Sequence, residues 1–568
     1  MTISLADKIG YARGEKQVDL LVKGGRLINV LSGEVYAADI AVADGIVVGF
    51  GDYEAKKTID ASGLYISPGL IEGHIHIESA MLSPPRFAEA VAAHGTAAVV
   101  CDPHEIANVL GLDGIRYMIE SSEGLPVSIF FMMPSCVPAT HLETAGAKIT
   151  AGDIERFIKK YPDRILGLAE LMNFPGVLFR VPEVLEKIIA AGARSIDGHA
   201  PLLTGKDLSA YIIAGAASDH ESTRLDEARE KLRKGMHLMI REGTTEKNLD
   251  ELIGVVNEFN SSRVSLVSDD RHPNDLLEKG HLDYSIRRAI SAGLPPVRAV
   301  QMATINTAGF YGLRGRGALA PGYRADFLLV EDLVEFKINS VYLGGREISE
   351  LSFESGIKEP PRNTMNIKKL SAEIFKIKAG GNKVAAIAVL AGQILTKRLD
   401  IEPRLSDGFA EADAERDIAK LAVIERHKAT GNAGLCFVKG LGLKRGALAG
   451  TVAHDSHNLI VAGMNDDDML AAAEAVVKMG GGFAVAENGK ATASLPLPIA
   501  GLMSDKPAPY VAAEMERLNK SAESLGGGLR HPFMALSFLA LPVIPELKLT
   551  DRGLVDVGRF DFIDMWGE

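Results

Sequence analysis

Between residues 69 and 268, short apolar runs alternate with segments whose apolar positions recur at helical spacing. The runs at 69–76, 97–101, 127–133, 165–171, 195–199, 212–219, 237–240 and 264–268 read as strands. Segments at 85–94, 152–160, 181–190, 223–235 and 245–260 read as helices between them. Strand and helix in regular alternation predict parallel βα units, and eight of them predict a (β/α)8 TIM-type barrel. Before the barrel, short β pieces at 19–22, 26–30, 39–42 and 46–50 are punctuated by turn residues such as Lys23-Gly24-Gly25 and Asp44-Gly45. They predict an antiparallel sheet too small to form a core alone. A matching β pattern returns at 325–330 and 340–343, so the barrel is expected as an insertion in a split β-sandwich. After Glu359-Pro360-Pro361-Arg362 the pattern resets into strands and helices with Gly-rich turns. A helix at 466–479 opens on three aspartates, which suit a helix N-terminus. The expected division is 1–66 with 318–362 as the sandwich, 67–317 as the barrel and 365–568 as a C-terminal α+β domain.

The polar residues that close the barrel runs share one chemistry. The first run ends in His74-Ile75-His76, whose imidazoles face the same way because strand side chains alternate. The second ends in Asp102-Pro103-His104-Glu105, the fourth in Glu170, the fifth in His199, the sixth in His220 and the eighth in Asp269-Asp270. In a parallel barrel these ends share one mouth, where the chemistry of such folds sits. Four histidines and two acids, without thiolate, make a site for two divalent cations: manganese, ferrous iron or zinc. Metal drops the pKa of water from 15.7 towards about 7, and Asp269 is placed to accept its proton and return it to a leaving group.

Composition narrows the partners. The 62 basic and 74 acidic residues give a net charge of −12, which disfavours nucleic acid and anionic membranes. Three scattered cysteines, Cys101, Cys136 and Cys436, offer no disulfide framework and suit a reducing cytoplasm. No basic segment followed by an apolar core opens the chain, and apolar runs such as 384–394 are shorter than the ~20 residues of a membrane helix. A soluble cytoplasmic enzyme is expected, with a homo-oligomer, most simply a dimer, as its assembly.

The segments Pro68-Gly69-Leu70-Ile71-Glu72-Gly73-His74-Ile75-His76, Asp102-Pro103-His104-Glu105, Asp197-Gly198-His199-Ala200-Pro201, Ser218-Asp219-His220-Glu221 and Ser268-Asp269-Asp270-Arg271-His272-Pro273 together resemble the amidohydrolase superfamily. The likeness is strongest to its branch acting on free adenine, and Ala453-His454-Asp455-Ser456-His457-Asn458 resembles that branch's extra domain. It implies hydrolytic deamination of adenine to hypoxanthine and ammonia in purine salvage, with a manganese or iron pair. It also implies that His74, His76 and Asp269 hold the first metal, His199 and His220 the second, and that Glu170 bridges them. Asp270 would read the purine N7 edge or orient a ligand histidine. His104 and Glu105 would protonate N1, position substrate or support their loop, and Arg241-Glu242 would share that role. His454 and His457 lie too far along the chain for a strand end; they would lid the pocket, bind an extra ion or, chiefly, cap local structure. His94, His141, His281, His427 and His531 show no ligand pattern. The rival readings are a cyclic-amide hydrolase acting on a hydantoin, dihydropyrimidine or imidazolone ring, and a metal-free scaffold on the same barrel.

Overall fold

The structure is a computed structural model that describes residues 4–357, 359–390 and 393–567. Residues 1–3, part of the chain opening read above, and 391–392, part of the 384–394 apolar run, lie outside the described residues.

The barrel strands are Leu70–Ile75, Thr96–Cys101, Ser128–Met133, Ile165–Leu171, Ser195–Gly198, Ser218–Asp219, His237–Arg241 and Val264–Val267, in that order around the cylinder. All neighbouring pairs with a ladder are parallel. The fifth and sixth are stitched by Ala217 N–H donating to Ile196 O (2.9 Å). The ring closes where Ile75 bridges Asp269 and Asp269 N–H donates to His74 O (3.0 Å). Strand two, Thr-Ala-Ala-Val-Val-Cys, is buried at every position, as a parallel strand covered on both faces must be. Gly167 permits the close contact of strands four and five: a Cβ there would stand 1.9 Å from Ser195 O.

Two expectations fail locally. The sixth strand is only Ser218–Asp219, because the apolar 212–213 stretch ends the helix Gly205–Ile213. Short apolar runs carry no period that separates a buried strand from a helix. The helix expected at 245–260 is a single turn, Leu249–Leu252, then a 3-10 turn, Ile253–Val255, and loop. Asn side chains take the backbone there: Asn257 N–H donates to Asn260 Oδ1 (2.8 Å) and Phe259 N–H to Asn257 Oδ1 (2.9 Å). Such local bonds compete with helix.

Two sheets face each other beside the barrel. One runs Ile46–Phe50, Ile40–Ala43, Val18–Lys23, Ala55–Asp60; the other runs Arg346–Glu347, Ile338–Leu343, Phe327–Val330, Tyr65–Pro68, Arg26–Asn29, Glu34–Ala37. Leu20, Val22 and Val42 of the first pack with Leu27, Ile66, Phe327 and Leu329 of the second. Both sheets are mixed rather than antiparallel, since Val18–Lys23 pairs parallel with Ala55–Asp60 and Arg26–Asn29 with Tyr65–Pro68.

In the C-terminal region an eight-stranded sheet carries the helix Asp466–Lys478 on one face. Met469, Ala472 and Val476 pack on Ile424, Val461 and Ala484, and Asn465 caps the helix by accepting from Asp468 N–H (2.8 Å). This region is bonded to the barrel: Ser83 N–H donates to Ser504 O, Ser504 N–H to Met81 O, and Thr144 N–H to Asp551 Oδ1. Cys101, Cys136 and Cys436 are buried and unpaired. Among the described residues, no helix is long and apolar enough to cross a membrane.

Candidate metal centre

The first strand delivers His74 and His76 side by side, their rings edge-on with centroids 5.0 Å apart. His76 is fixed in one tautomer. Its Nδ1–H donates to the backbone oxygen of Asp102 (3.1 Å), so Nε2 turns its lone pair to Glu170 Oε1 (3.4 Å) and Asp269 Oδ1 (3.3 Å). His74 Nε2 lies 3.7 Å from the same Asp269 oxygen and is buried without any hydrogen-bond partner. Glu170 Oε2 lies 3.2 Å from His220 Nε2 and 2.6 Å from His199 Nδ1. All six residues therefore converge: donor atoms of His74, His76 and Asp269, and of His74, Glu170 and His220, lie within 4.8 Å of one another, and His199 groups likewise with His220 and Glu221.

The spacing fits a cation better than it fits hydrogen bonds. Two donors each about 2.1 Å from one ion, at near-tetrahedral angles, stand roughly 3.0–3.5 Å apart. Most of the nitrogen–oxygen separations fall near that range, and His74 Nε2, buried with nothing to bond, is the kind of atom a metal satisfies. The His199–Glu170 pair is closer and is a direct hydrogen bond.

Around the ligands stand residues that hold charge in place. Arg241 Nη1 donates to Asp269 Oδ2 (2.6 Å) and grips Glu221 with both terminal nitrogens, leaving Asp269 Oδ1 to face the histidines. Burial alone would raise the Asp269 pKa, but Arg241 holds the carboxyl well below its usual range. Burial likewise opposes ionised Glu170, and His199 beside it wins. Asn248 joins the strand ends, accepting from Arg241 N–H (2.8 Å) and donating to the backbone oxygens of His220 and Ser222.

His104 enters the cluster too, Nδ1 3.0 Å from Asp102 Oδ2 and 3.5 Å from Glu170 Oε1. Asp270 accepts from Ser79 Oγ–H, and burial together with Asp269 next to it raises its pKa. Glu105 turns to the C-terminal region, where His454 Nδ1 (2.7 Å) and His457 Nε2 both bond to it. His454 and His457 thus do more than cap their own loop. Their partner lies on the barrel 349 positions or more away, beyond any sequence period. Residue pattern alone does not single out Asp102, Glu221 and Asp455. The signal that could find the first two is adjacency, since they flank Pro103-His104 and His220 in the strand-end motifs.

A closed parallel barrel with a buried imidazole–carboxylate cluster at its strand ends defines a metal-dependent hydrolase. The amidohydrolase family model matches residues 65–348, and the model described as adenine deaminase C-terminal domain matches 393–561. An adenine deaminase of Oleidesulfovibrio alaskensis is 58% identical over 559 residues, 98% of each chain. One of Desulfatibacillum aliphaticivorans is 52% identical over 98% of this chain and 99% of that protein. Adenine deaminase 2 of Carboxydothermus hydrogenoformans is 49% identical over the same shares. The chain belongs to the adenine deaminase family of the amidohydrolase superfamily.

Proposed function

We propose that this protein hydrolyses adenine to hypoxanthine and ammonia, using a pair of divalent cations, manganese or ferrous iron, held by His74, His76, Glu170, His199, His220 and Asp269. The observation that carries the reading is the orphaned Nε2 of buried His74 facing Asp269 Oδ1, in a chain that relatives named adenine deaminase match over nearly its whole length. Bound there, the cations supply a Lewis acid and lower the pKa of water from 15.7 towards about 7.

The chain's own residues move the protons. Asp269, ionised and held at Oδ2 by Arg241, takes the proton of the attacking water at Oδ1 while oxygen adds to C6 of adenine. N1 must gain a proton in the same step. Of the two candidate donors His104 suits it better, because Glu105 already accepts from two imidazoles and has no proton to give. Asp269 then passes its proton to the exocyclic amine, and the C6–N bond breaks. As ammonia leaves, the C6 hydroxyl gives up its remaining proton, which restores the one His104 gave to N1 and leaves hypoxanthine. Asp270, which accepts from Ser79 Oγ–H, would read the purine's N7 edge.

Loading the purified chain with manganese or ferrous iron, mixing it with a purine panel and following ammonia release tests the reading. Adenine is expected to be the substrate. Release from none of the purines, but opening of a dihydropyrimidine or hydantoin ring, would replace it with the cyclic-amide hydrolase.

A further inference from the structure

Beside Asp270 lies a narrow cavity of about 20 Å³, room for about one water, whose lining comes from both regions of the chain. Met81 lines it from the barrel, and Phe483, Met515 and Phe533 from the C-terminal region. Asp270 and His454 are among its polar residues, with Ser79, His272 and Ser537. Apolar walls with convergent polar groups have the chemistry that a flat heteroaromatic ligand requires, and the walls must part to admit one.

His454 is held in place from several sides. Its Nδ1 is bonded to Glu105 Oε1 at 2.7 Å, and its ring stacks on Phe538 with centroids 4.6 Å apart and planes 18° from parallel. Glu105 is oriented in turn by His457, whose tautomer is fixed: Ala453 N–H donates to His457 Nδ1 (3.2 Å), so Nε2–H must donate to Glu105. The trio is a hydrogen-bonded brace. It leaves His454 Nε2 without a partner among the described residues, on a residue that lines the cavity.

We infer that His454 is a substrate-contacting residue: the C-terminal region closes the purine pocket over the barrel mouth, and His454 Nε2, aimed by the Glu105–His457 brace, hydrogen-bonds a ring nitrogen of adenine opposite Asp270. The inference rests on the adenine reading above. Burial works against a charged His454, but the Glu105 carboxylate lifts its pKa to about 9, consistent with Nε2–H as a donor to a purine lone pair.

Two substitutions separate contact from bracing. His454→Asn keeps an N–H where Nδ1–H stands, and so keeps the bond to Glu105, but removes Nε2. His454→Gln carries its amide towards the Nε2 position and gives up Glu105. In the manganese-loaded full chain, KM for adenine and Kd for hypoxanthine by calorimetry are measured beside metal content and thermal stability. The Asn variant is expected to keep its metal and raise both constants about tenfold or more, the loss of one hydrogen bond to a charged donor. The Gln variant is expected to recover part of that loss. An Asn variant with wild-type KM and Kd overturns the inference, because His454 would then only prop Glu105. Should His454→Asn fail to fold, Phe533→Leu thins the same pocket without touching the brace, and an unchanged hypoxanthine Kd overturns it there. A wild-type chain that releases no ammonia from adenine sinks the parent reading as well. One that deaminates adenine while the Asn variant binds normally sinks this inference alone.

Discussion

The barrel mouth and the loop 453–458 supply histidines to adjoining sites by different means. At the mouth, backbone geometry does the placing: strand ends put His74, His76, His199 and His220 where they are, and their rings meet carboxylates from neighbouring strands. In the loop, long-range hydrogen bonds do it, because His454 and His457 are aimed by one glutamate of the barrel. A mouth residue changed to a neutral isostere should therefore damage chemistry without moving its neighbours. A loop residue changed the same way should affect substrate binding first.

The largest expected effect lies at the mouth. Asp269→Asn keeps the shape and removes the proton acceptor, and kcat for adenine should fall on the order of 10²–10⁴-fold. Ammonia release at saturating adenine, with metal content measured alongside, checks it. A variant within a few-fold of wild type would transfer the proton role to another group. Chelation should likewise abolish activity, and manganese or ferrous iron should restore it; activity that persists in metal-free protein would break the reading of the cluster.

Arg241→Met comes next. It leaves Asp269 and Glu221 buried without their cation, and breaking such a buried pair costs about 3–5 kcal/mol. Losing a residue that orients a ligand typically weakens metal binding or activity about 10–100-fold. A melting curve and a metal titration check both. If stability falls while metal affinity holds, Arg241 serves the fold and the two regions differ less than their geometry suggests.

The same contrast decides which residues are legible in the sequence. Residues that close strands follow from period and position, so the convergence of His74, His76, Glu170, His199, His220 and Asp269 on one mouth can be read from the residues alone. Arg241 is visible there only as a polar residue closing a strand, with nothing to say that it spans Glu221 and Asp269. Apolar runs mislead where burial hides the period, as at 212–217, where helix end and turn resemble a strand. The His454–Glu105 contact has no signal at all, since it depends on how the C-terminal sheet docks against Met81 and Ser83.

The smallest effect tests the C-terminal side, where a buried cation has carbonyl partners in place of carboxylates. Lys548 Nζ donates to the backbone oxygens of Ile394 and Phe538 (2.9 Å each), and Phe538 is the ring on which His454 stacks. Burial lowers its pKa from 10.5 to about 7. Above pH 7 the unfolded chain then binds the proton that the folded chain has released, so stability rises with pH until about 10.5, where both states are neutral. Below pH 7 both states are charged and the full penalty of burying the ammonium stands. Lys548→Met removes that dependence and two hydrogen bonds worth about 0.5–1.5 kcal/mol each. Denaturation of wild type and variant at pH 7, 8.5 and 10 should therefore show wild type gaining on the variant as pH rises. Parallel curves would mean that Lys548 stays charged in the fold, its two carbonyls holding it as firmly as Arg241 is held by its acids.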